Sequence, residues 1–260
     1  MEPMPSSTHH PTIIEFQDVH RAFGAHQVLR GLDLRIPKHR TTVIIGRSGT
    51  GKSVLLKHIM GLLRPDRGRV LVDGVDLRTL SPHALLELRK RFGMCFQNAA
   101  LFDSLSVGEN VAFPLREHSD FTKEEIRDIV EEKLKQVGLV NVSHKMPSEL
   151  SGGMRKRVGI ARAIALEPEI MLYDEPTTGL DPIMSGAIDD LIMETQETLN
   201  LTCVVISHDI RAALRIGHKI AMLYEGRLHM EGTPEAIRNT SDPVLRQFLE
   251  GRAEGPIKLT

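Results

Sequence analysis

Gly46-Arg47-Ser48-Gly49-Thr50-Gly51-Lys52-Ser53 lies between a β-branched apolar run, TTVII at 41–45, and the helical pattern VLLKHIMGLL at 54–63. The eight residues satisfy GxxxxGK[ST], and a strand before and a helix after give that spacing the context it needs. Its glycines let the backbone curl so that successive N–H groups point inward at phosphate oxygens. The following helix presents its positive end to the same anion. Lys52 supplies a compact cation for β- and γ-phosphates, and the Ser53 hydroxyl is placed to ligate Mg²⁺. A chance glycine-rich turn would need both flanking elements to be coincidences.

A second apolar run, Ile170-Met171-Leu172-Tyr173, ends on Asp174-Glu175. The first carboxylate, at the C-terminal end of a buried strand, can hold Mg²⁺ directly or through water. The second can polarise a water for in-line attack on the γ-phosphorus. Paired acids at a strand end also open exposed loops, and the phosphate loop upstream decides between the readings.

Outward from these two strands the pattern alternates. Partial alternation at 13–19 and 27–36 predicts antiparallel strands, and Asp73-Gly74 predicts a hairpin between strands at 69–72 and 75–77. A helix is expected over 81–91, a strand over 92–96 and further helix after it. Thr122 with Glu125 has capping-box spacing and opens a charged helix that stops at Gly138. Another helix is expected at 154–166, a buried strand at 202–206, a hairpin at 221–230, and a last helix after Ser241-Asp242-Pro243 that runs to Glu250. The expected fold class is α/β: a P-loop NTPase core with an antiparallel β subdomain and a helical insertion at about 98–166. The expected divisions are a disordered tail at 1–12, an ATPase domain at 13–240, and a C-terminal helix and tail at 241–260.

The 260 residues carry a formal net charge of −1, which argues against nucleic acid as the main partner, since that needs a concentrated basic surface. Cys95 and Cys203 sit in apolar runs and read as buried thiols of a reducing compartment. The first residues lack a cationic start and apolar stretch, so no secretory signal is expected. No uninterrupted apolar run approaches the roughly 18 residues of a membrane span, so a membrane role must pass through a partner. The 12 histidines show no metal-ligand spacing.

Leu150-Ser151-Gly152-Gly153-Met154 adds a hydroxyl and free N–H donors just before a helix. One chain holds one nucleotide in its own phosphate loop. A second anion site is explained if it caps the nucleotide of a neighbouring copy. Set between the phosphate loop and the Asp-Glu strand, this segment resembles the signature of ABC transporter ATPases, and the match runs over nearly the whole chain. The resemblance implies ATP and Mg²⁺ as cofactors, a homodimer, and an integral membrane permease as partner. It implies that Phe23 stacks on adenine, although an interior aromatic is the competing reading. It makes Gln97 the glutamine that touches Mg²⁺ or the attacking water, beside Ser53 and Asp174. It assigns Asp181 of Gly179-Leu180-Asp181 to communication across the dimer, together with Ser151, Gly152 and Gly153. His208, after the strand TCVVIS, is implied to contact the γ-phosphate and to act with Glu175 and Lys52 in catalysis.

Met154 stands where most of the family has Gln. With AFPLREH (112–118), KMPSELSGGM (145–154), ARAIALEP (161–168) and QFLEGRAEGP (247–256), it resembles MlaF-type ATPases of the Mla and Mce lipid-transport systems. That resemblance implies phospholipid transport across a cell envelope, an MlaE-like permease with further Mla-type subunits, and a peripheral place on the cytoplasmic face of the inner membrane. The alternatives are the ATPase of an ABC importer or exporter for another solute, and a non-transport ABC ATPase acting on ribosomes or DNA. The permease is expected to dock on Ala99-Ala100-Leu101-Phe102 with Leu105, unless those residues are interior to the insertion.

Overall fold

The computed structural model describes residues 11–258. The chain opens with β1 (Thr12–Phe23), β2 (His26–Pro37) and β3 (Thr41–Ile45), which leads into α1 (Lys52–Ile59). Then come β4 (Arg67–Val72), β5 (Val75–Asp76), α2 (Pro82–Lys90) and β6 (Phe92–Cys95). Three helices follow, α3 (Val107–His118), α4 (Lys123–Gln136) and α5 (Gly152–Ala163), and they pack on one another. The remainder is β7 (Ile170–Asp174), α6 (Pro182–Thr198), β8 (Thr202–Ile206), α7 (Ile210–Ile216), β9 (Lys219–Tyr224), β10 (Arg227–Gly232), α8 (Pro234–Arg238) and α9 (Pro243–Glu250).

β3 lies inside a six-stranded sheet of order β10-β9-β3-β8-β7-β6, parallel except for the antiparallel edge pair β9–β10. Every residue of β3 and β8 is buried, as expected of strands covered on both faces. The period of two sorts their side chains. Val43, Ile45, Met171, Tyr173 and Val205 face the core shared with the helices α3 to α7, whereas Ile44, Leu172, Val204 and Ile206 face α1 and the second sheet. Truncating one of these, Ile44→Ala for example, costs about 2–5 kcal/mol. The second sheet is antiparallel, of order β2-β1-β4-β5. Its β4–β5 turn is the anticipated Asp73-Gly74, both with φ above zero, at 52° and 76°.

This arrangement sets the C-terminal ends of β3, β7 and β8 side by side, with Ile44 opposite Ile206 and Asp174 opposite Ile206. The loops leaving them carry the phosphate loop, Asp174-Glu175 and His208.

Several expected boundaries shift. Most of the tail expected at 1–12 lies outside the described residues, but Thr12 opens β1 and pairs with Pro37. The strand expected to 77 stops at Asp76, whose carboxylate turns back to accept from the Arg78 N–H at 3.0 Å. β6 stops at Cys95, leaving Phe96 exposed. The helix expected at 154–166 starts two residues earlier because Ser151 caps it, and it ends at Ala163. The charged helix does open on Thr122, with the capping box formed in both directions. After α9 the chain returns on itself. The Ile257 N–H donates to Gln247 Oε1 at 2.6 Å, and the Ile257 side chain is buried. Both cysteines are free and buried, and burial raises their pKa values to about 11 for Cys95 and about 12 for Cys203.

Candidate nucleotide site

The phosphate loop begins where β3 ends. Gly46 has a φ of 150°, and a Cβ there would lie 2.4 Å from the Leu223 carbonyl oxygen, so no side chain fits. The loop closes on α1, and Lys52 folds back inside it. Its Nζ donates to the carbonyls of Gly46 and Arg47, each at 2.8 Å, and the residue is 6% exposed. Burial lowers the Lys52 pKa, while the carboxylates of Glu175 and Asp174 oppose that shift.

Ser53 Oγ donates to Asp174 Oδ1 at 3.2 Å, which joins the loop to the end of β7. Burial raises the Asp174 pKa and the neighbouring Glu175 raises it further, against the Ser53 hydrogen bond. A hydroxyl beside a carboxylate is an all-oxygen donor pair. Among the described residues no group of three or more His, Cys, Asp or Glu could cage a metal. That donor set fits Mg²⁺, which takes one or two carboxylates and completes its shell with phosphate oxygens and water.

Glu175 follows with a φ of 49°, a left-handed conformation that costs a non-glycine residue roughly 1 kcal/mol or more. Its N–H donates to the Ile206 carbonyl at 3.0 Å, which fixes the turn against β8. The strained turn carries the carboxylate to His208, with Oε2 3.2 Å from Nδ1. The Thr178 hydroxyl donates to the same oxygen at 3.0 Å. Glu175 is mostly shielded and His208 is exposed.

The other sequence-predicted residues are placed as follows. Ser151 caps α5, its hydroxyl accepting from the Met154 N–H at 3.3 Å. Gly153 packs so closely on α6 that a Cβ would meet Met184 Cε at 2.2 Å. Asp181 caps α6, accepting from the N–H groups of Ile183 and Met184 at 2.9 and 3.0 Å. Gln97 is exposed after β6, and its side chain makes no direct hydrogen bond to Ser53 or Asp174. Phe23 is 46% exposed at the end of β1, with the Arg21 guanidinium 4.8 Å from its ring centre, so the interior reading does not hold.

The expected docking wall divides. Ala99 is interior and Leu101 packs against the core, whereas Phe102 is 44% exposed. Phe102 and Ala100 border an open cavity of about 430 Å³ with Phe96, Phe113, Pro114 and Leu166. The Phe102 and Phe113 rings stand 4.9 Å apart. Leu105 does not line this cavity. Phe96, Phe113 and Pro114 were not anticipated. AFP at 112–114 signals only an apolar helix face.

A second cavity, of about 620 Å³, flanks the phosphate loop along Arg47, Ser48, Gly49 and Thr50. Phe23 is not part of its lining, but Tyr224, Pro256 and Lys258 are, and none of those three was anticipated. Arg47 Nη1 donates to the Lys258 carbonyl at 2.8 Å, so the returning C-terminal segment lies against the loop. Gly255-Pro256 signals a turn in the sequence but not the surface that the turn meets.

The family model described as ABC transporter matches residues 29–178. The chain is 44% identical over 247 residues to the protein named "Probable ribonucleotide transport ATP-binding protein mkl" of Mycobacterium leprae, covering 95% of this chain and 71% of that one. It is 44% identical over 246 residues to the intermembrane phospholipid transport system ATP-binding protein MlaF of Haemophilus influenzae, covering 95% and 93%. Among solved structures, the dimeric post-hydrolysis state of the ATP-binding cassette MJ0796 with ADP and phosphate superposes with a TM-score of 0.77 at 32% identity, covering 85% of this chain and 99% of that one.

Proposed function

The chain belongs to the ABC transporter family as an ATP-hydrolysing subunit that uses Mg²⁺, and we propose that it energises phospholipid movement across a cell envelope through a separate membrane-spanning partner. One observation carries the chemistry: Lys52, Ser53, Asp174, Glu175 and His208 converge at the ends of three adjacent strands. The phosphate loop and Lys52 hold the β- and γ-phosphates of ATP. Mg²⁺, when bound by Ser53 and Asp174, neutralises charge on the phosphate oxygens. Glu175 accepts a proton from the attacking water, while His208 orients that carboxylate and reaches the γ-phosphate. Gln97 closes on the water or the metal shell when its loop moves in.

Ser151, Gly152, Gly153 and Asp181 serve the nucleotide of a second copy, and so the working form is a homodimer. Ser151 supports this reading by standing at the N-terminus of a 12-residue helix, where its hydroxyl and the free N–H groups suit an anion. No helix among the described residues is long and apolar enough to cross a membrane. Attachment to the cytoplasmic face of the inner membrane therefore falls to an MlaE-like permease with further Mla-type subunits. The permease seats an apolar helix in the cavity at Phe96, Phe102 and Phe113.

Identity along nearly the whole chain to a protein named for phospholipid transport supports lipid as the cargo. Equal identity to one named for ribonucleotide transport favours a second reading. The complex, purified with its membrane partner, separates them. Stimulation of its ATPase by phospholipid vesicles and not by added CMP or UMP supports lipid, and the opposite response transfers the function to nucleotide uptake.

A further inference from the structure

Two segments reach the Glu175 carboxylate, and both contacts fall on the same oxygen. His208 Nδ1 arrives from the loop after β8 and stands 3.2 Å from Oε2. The Thr178 hydroxyl donates to Oε2 at 3.0 Å, from a turn that Glu175 itself begins. That turn is built locally. Pro176, which is buried, occupies the second position, where a β-turn favours proline, and the Thr178 N–H closes the turn on the Glu175 carbonyl at 3.3 Å. Thr178 therefore returns to Glu175 twice, by its backbone to the carbonyl and by its side chain to the carboxylate. A β-branched side chain has few χ1 choices, so the hydroxyl stays where the turn puts it. The start of the turn is tied to β8, because the Glu175 N–H donates to the Ile206 carbonyl at 3.0 Å. The last torsion of a glutamate is soft. His208, with its side chain 56% exposed, gives the carboxylate one contact from a separate loop. A second donor on a fixed turn removes the freedom that remains.

We propose that Thr178 is a positioning residue for the catalytic base: its hydroxyl pins Oε2 and leaves Oε1 as the oxygen that takes the proton of the attacking water. The inference rests on the reading of Glu175 as that base. The proton passes from the water to Oε1 while the water oxygen bonds to the γ-phosphorus and the bond from that phosphorus to the bridging oxygen of ADP breaks. Thr178 keeps its own proton throughout and acts only through Glu175. His208 is read as touching the γ-phosphate as well, so its loss removes two functions at once, whereas loss of the Thr178 hydroxyl changes the placement of the carboxylate alone. A hydroxyl that merely closed the turn would matter equally whether or not Glu175 could accept a proton, and that difference separates the two roles.

The test is steady-state and single-turnover ATP hydrolysis by the full chain, carrying Thr178→Val, Thr178→Ser, or Thr178→Val together with Glu175→Gln. Valine keeps the branched shape and the backbone N–H of the turn and removes only the hydroxyl donor. Thr178→Val should lower kcat by about 10–10²-fold, the cost of a slightly misplaced reacting group. Its KM for ATP should change by less than about two-fold, because no contact to the bound nucleotide is lost. Thr178→Ser keeps the donor and should retain most of the rate. In the Glu175→Gln chain, Thr178→Val should leave the residual single-turnover rate unchanged, since no base remains to be positioned. If Thr178→Val does not fold, Thr178→Ala, which also removes the donor, carries the same expectations. A Thr178→Val chain with the parent kcat overturns the proposal, as does one whose only change is a raised KM. So does a Thr178→Ser chain as slow as Thr178→Val, or a Thr178→Val loss as large in the Glu175→Gln chain as in the parent, which would assign the hydroxyl to the turn alone. A Glu175→Gln chain that hydrolyses ATP at the parent rate contradicts the proposed function itself.

Discussion

Glu175 Oε2 lies 3.2 Å from His208 Nδ1, although the two residues leave different strands and are 33 positions apart in sequence. The left-handed turn at Glu175 brings them together, and the hydrogen bond from its N–H to the Ile206 carbonyl keeps the turn in place. Under the proposed function, this carboxylate and imidazole act as a unit on the attacking water.

Glu175→Gln should therefore keep ATP binding and lower hydrolysis by about 10²–10⁴-fold, since the amide keeps the shape but takes no proton. His208→Ala should lower turnover as well. The two losses should not multiply, because each variant disables the same pair, Glu175→Gln by removing the base and His208→Ala by removing the group that orients it. Single-turnover hydrolysis of the two single variants and the double variant measures this. A double variant as slow as the product of the two losses would mean that the residues act separately.

ATP should drive dimer formation. Sedimentation of the Glu175→Gln chain is expected to show association with ATP and none with ADP, and Ser151→Arg should abolish it by placing a bulky cation at the helix start. Persistent ATP-driven association in the Ser151→Arg chain would remove the signature segment from the interface.

Phe102→Asp should detach the chain from membranes that contain its partner while leaving nucleotide affinity unchanged. The ring is exposed beside Phe113, on loop and helix elements separate from the strand ends that hold Lys52. Co-sedimentation with those membranes reads the effect, and full attachment of Phe102→Asp would move the docking surface elsewhere.

Asp189 makes a prediction about pH. It is 5% exposed on α6, its Oδ1 has no hydrogen-bond partner, and burial raises its pKa from 3.8 to about 6. A raised pKa means that the folded state holds the proton more tightly than the unfolded chain. The stabilisation is present at low pH and is lost as pH rises from about 4 to about 6. Asp189→Asn should raise the stability at pH 8 by something on the order of 1–3 kcal/mol and change it little at pH 4. Thermal melts at the two pH values check the sign. Equal effects at both would mean that the buried carboxylate is not what titrates.

How legible all this was in the sequence depends on whether the deciding forces are local. The strands TTVII and TCVVI were placed to the residue, because β-branched apolar runs have one comfortable environment, and Asp73-Gly74 named its own turn. Thr122 and Glu125 did the same for α4. The helices from 182 to 238 were not placed. PIMSGAIDDLIMETQET mixes its faces, because α6 packs on both α5 and α7 and so lacks the clean stripe of a surface helix. For the site, the order of motifs indicated which residues to gather, but not that Glu175 meets His208, that Asp181 caps its own helix through Oδ1, or that Lys52 curls onto Gly46 and Arg47. Those depend on strand ends brought together by register. The return of Pro256 and Lys258 to the phosphate loop had no local signal at all, since Arg47 and Lys258 are 211 positions apart.

The most direct measurement is transfer of a labelled phospholipid between vesicles by the complex of this chain with its membrane partner, with and without ATP. The wild-type chain should support transfer only when ATP and Mg²⁺ are present, and Glu175→Gln should abolish it while the complex stays assembled. Transfer that proceeds at the same rate with the Glu175→Gln chain, or a complex that hydrolyses ATP fully and moves no phospholipid, would contradict the account.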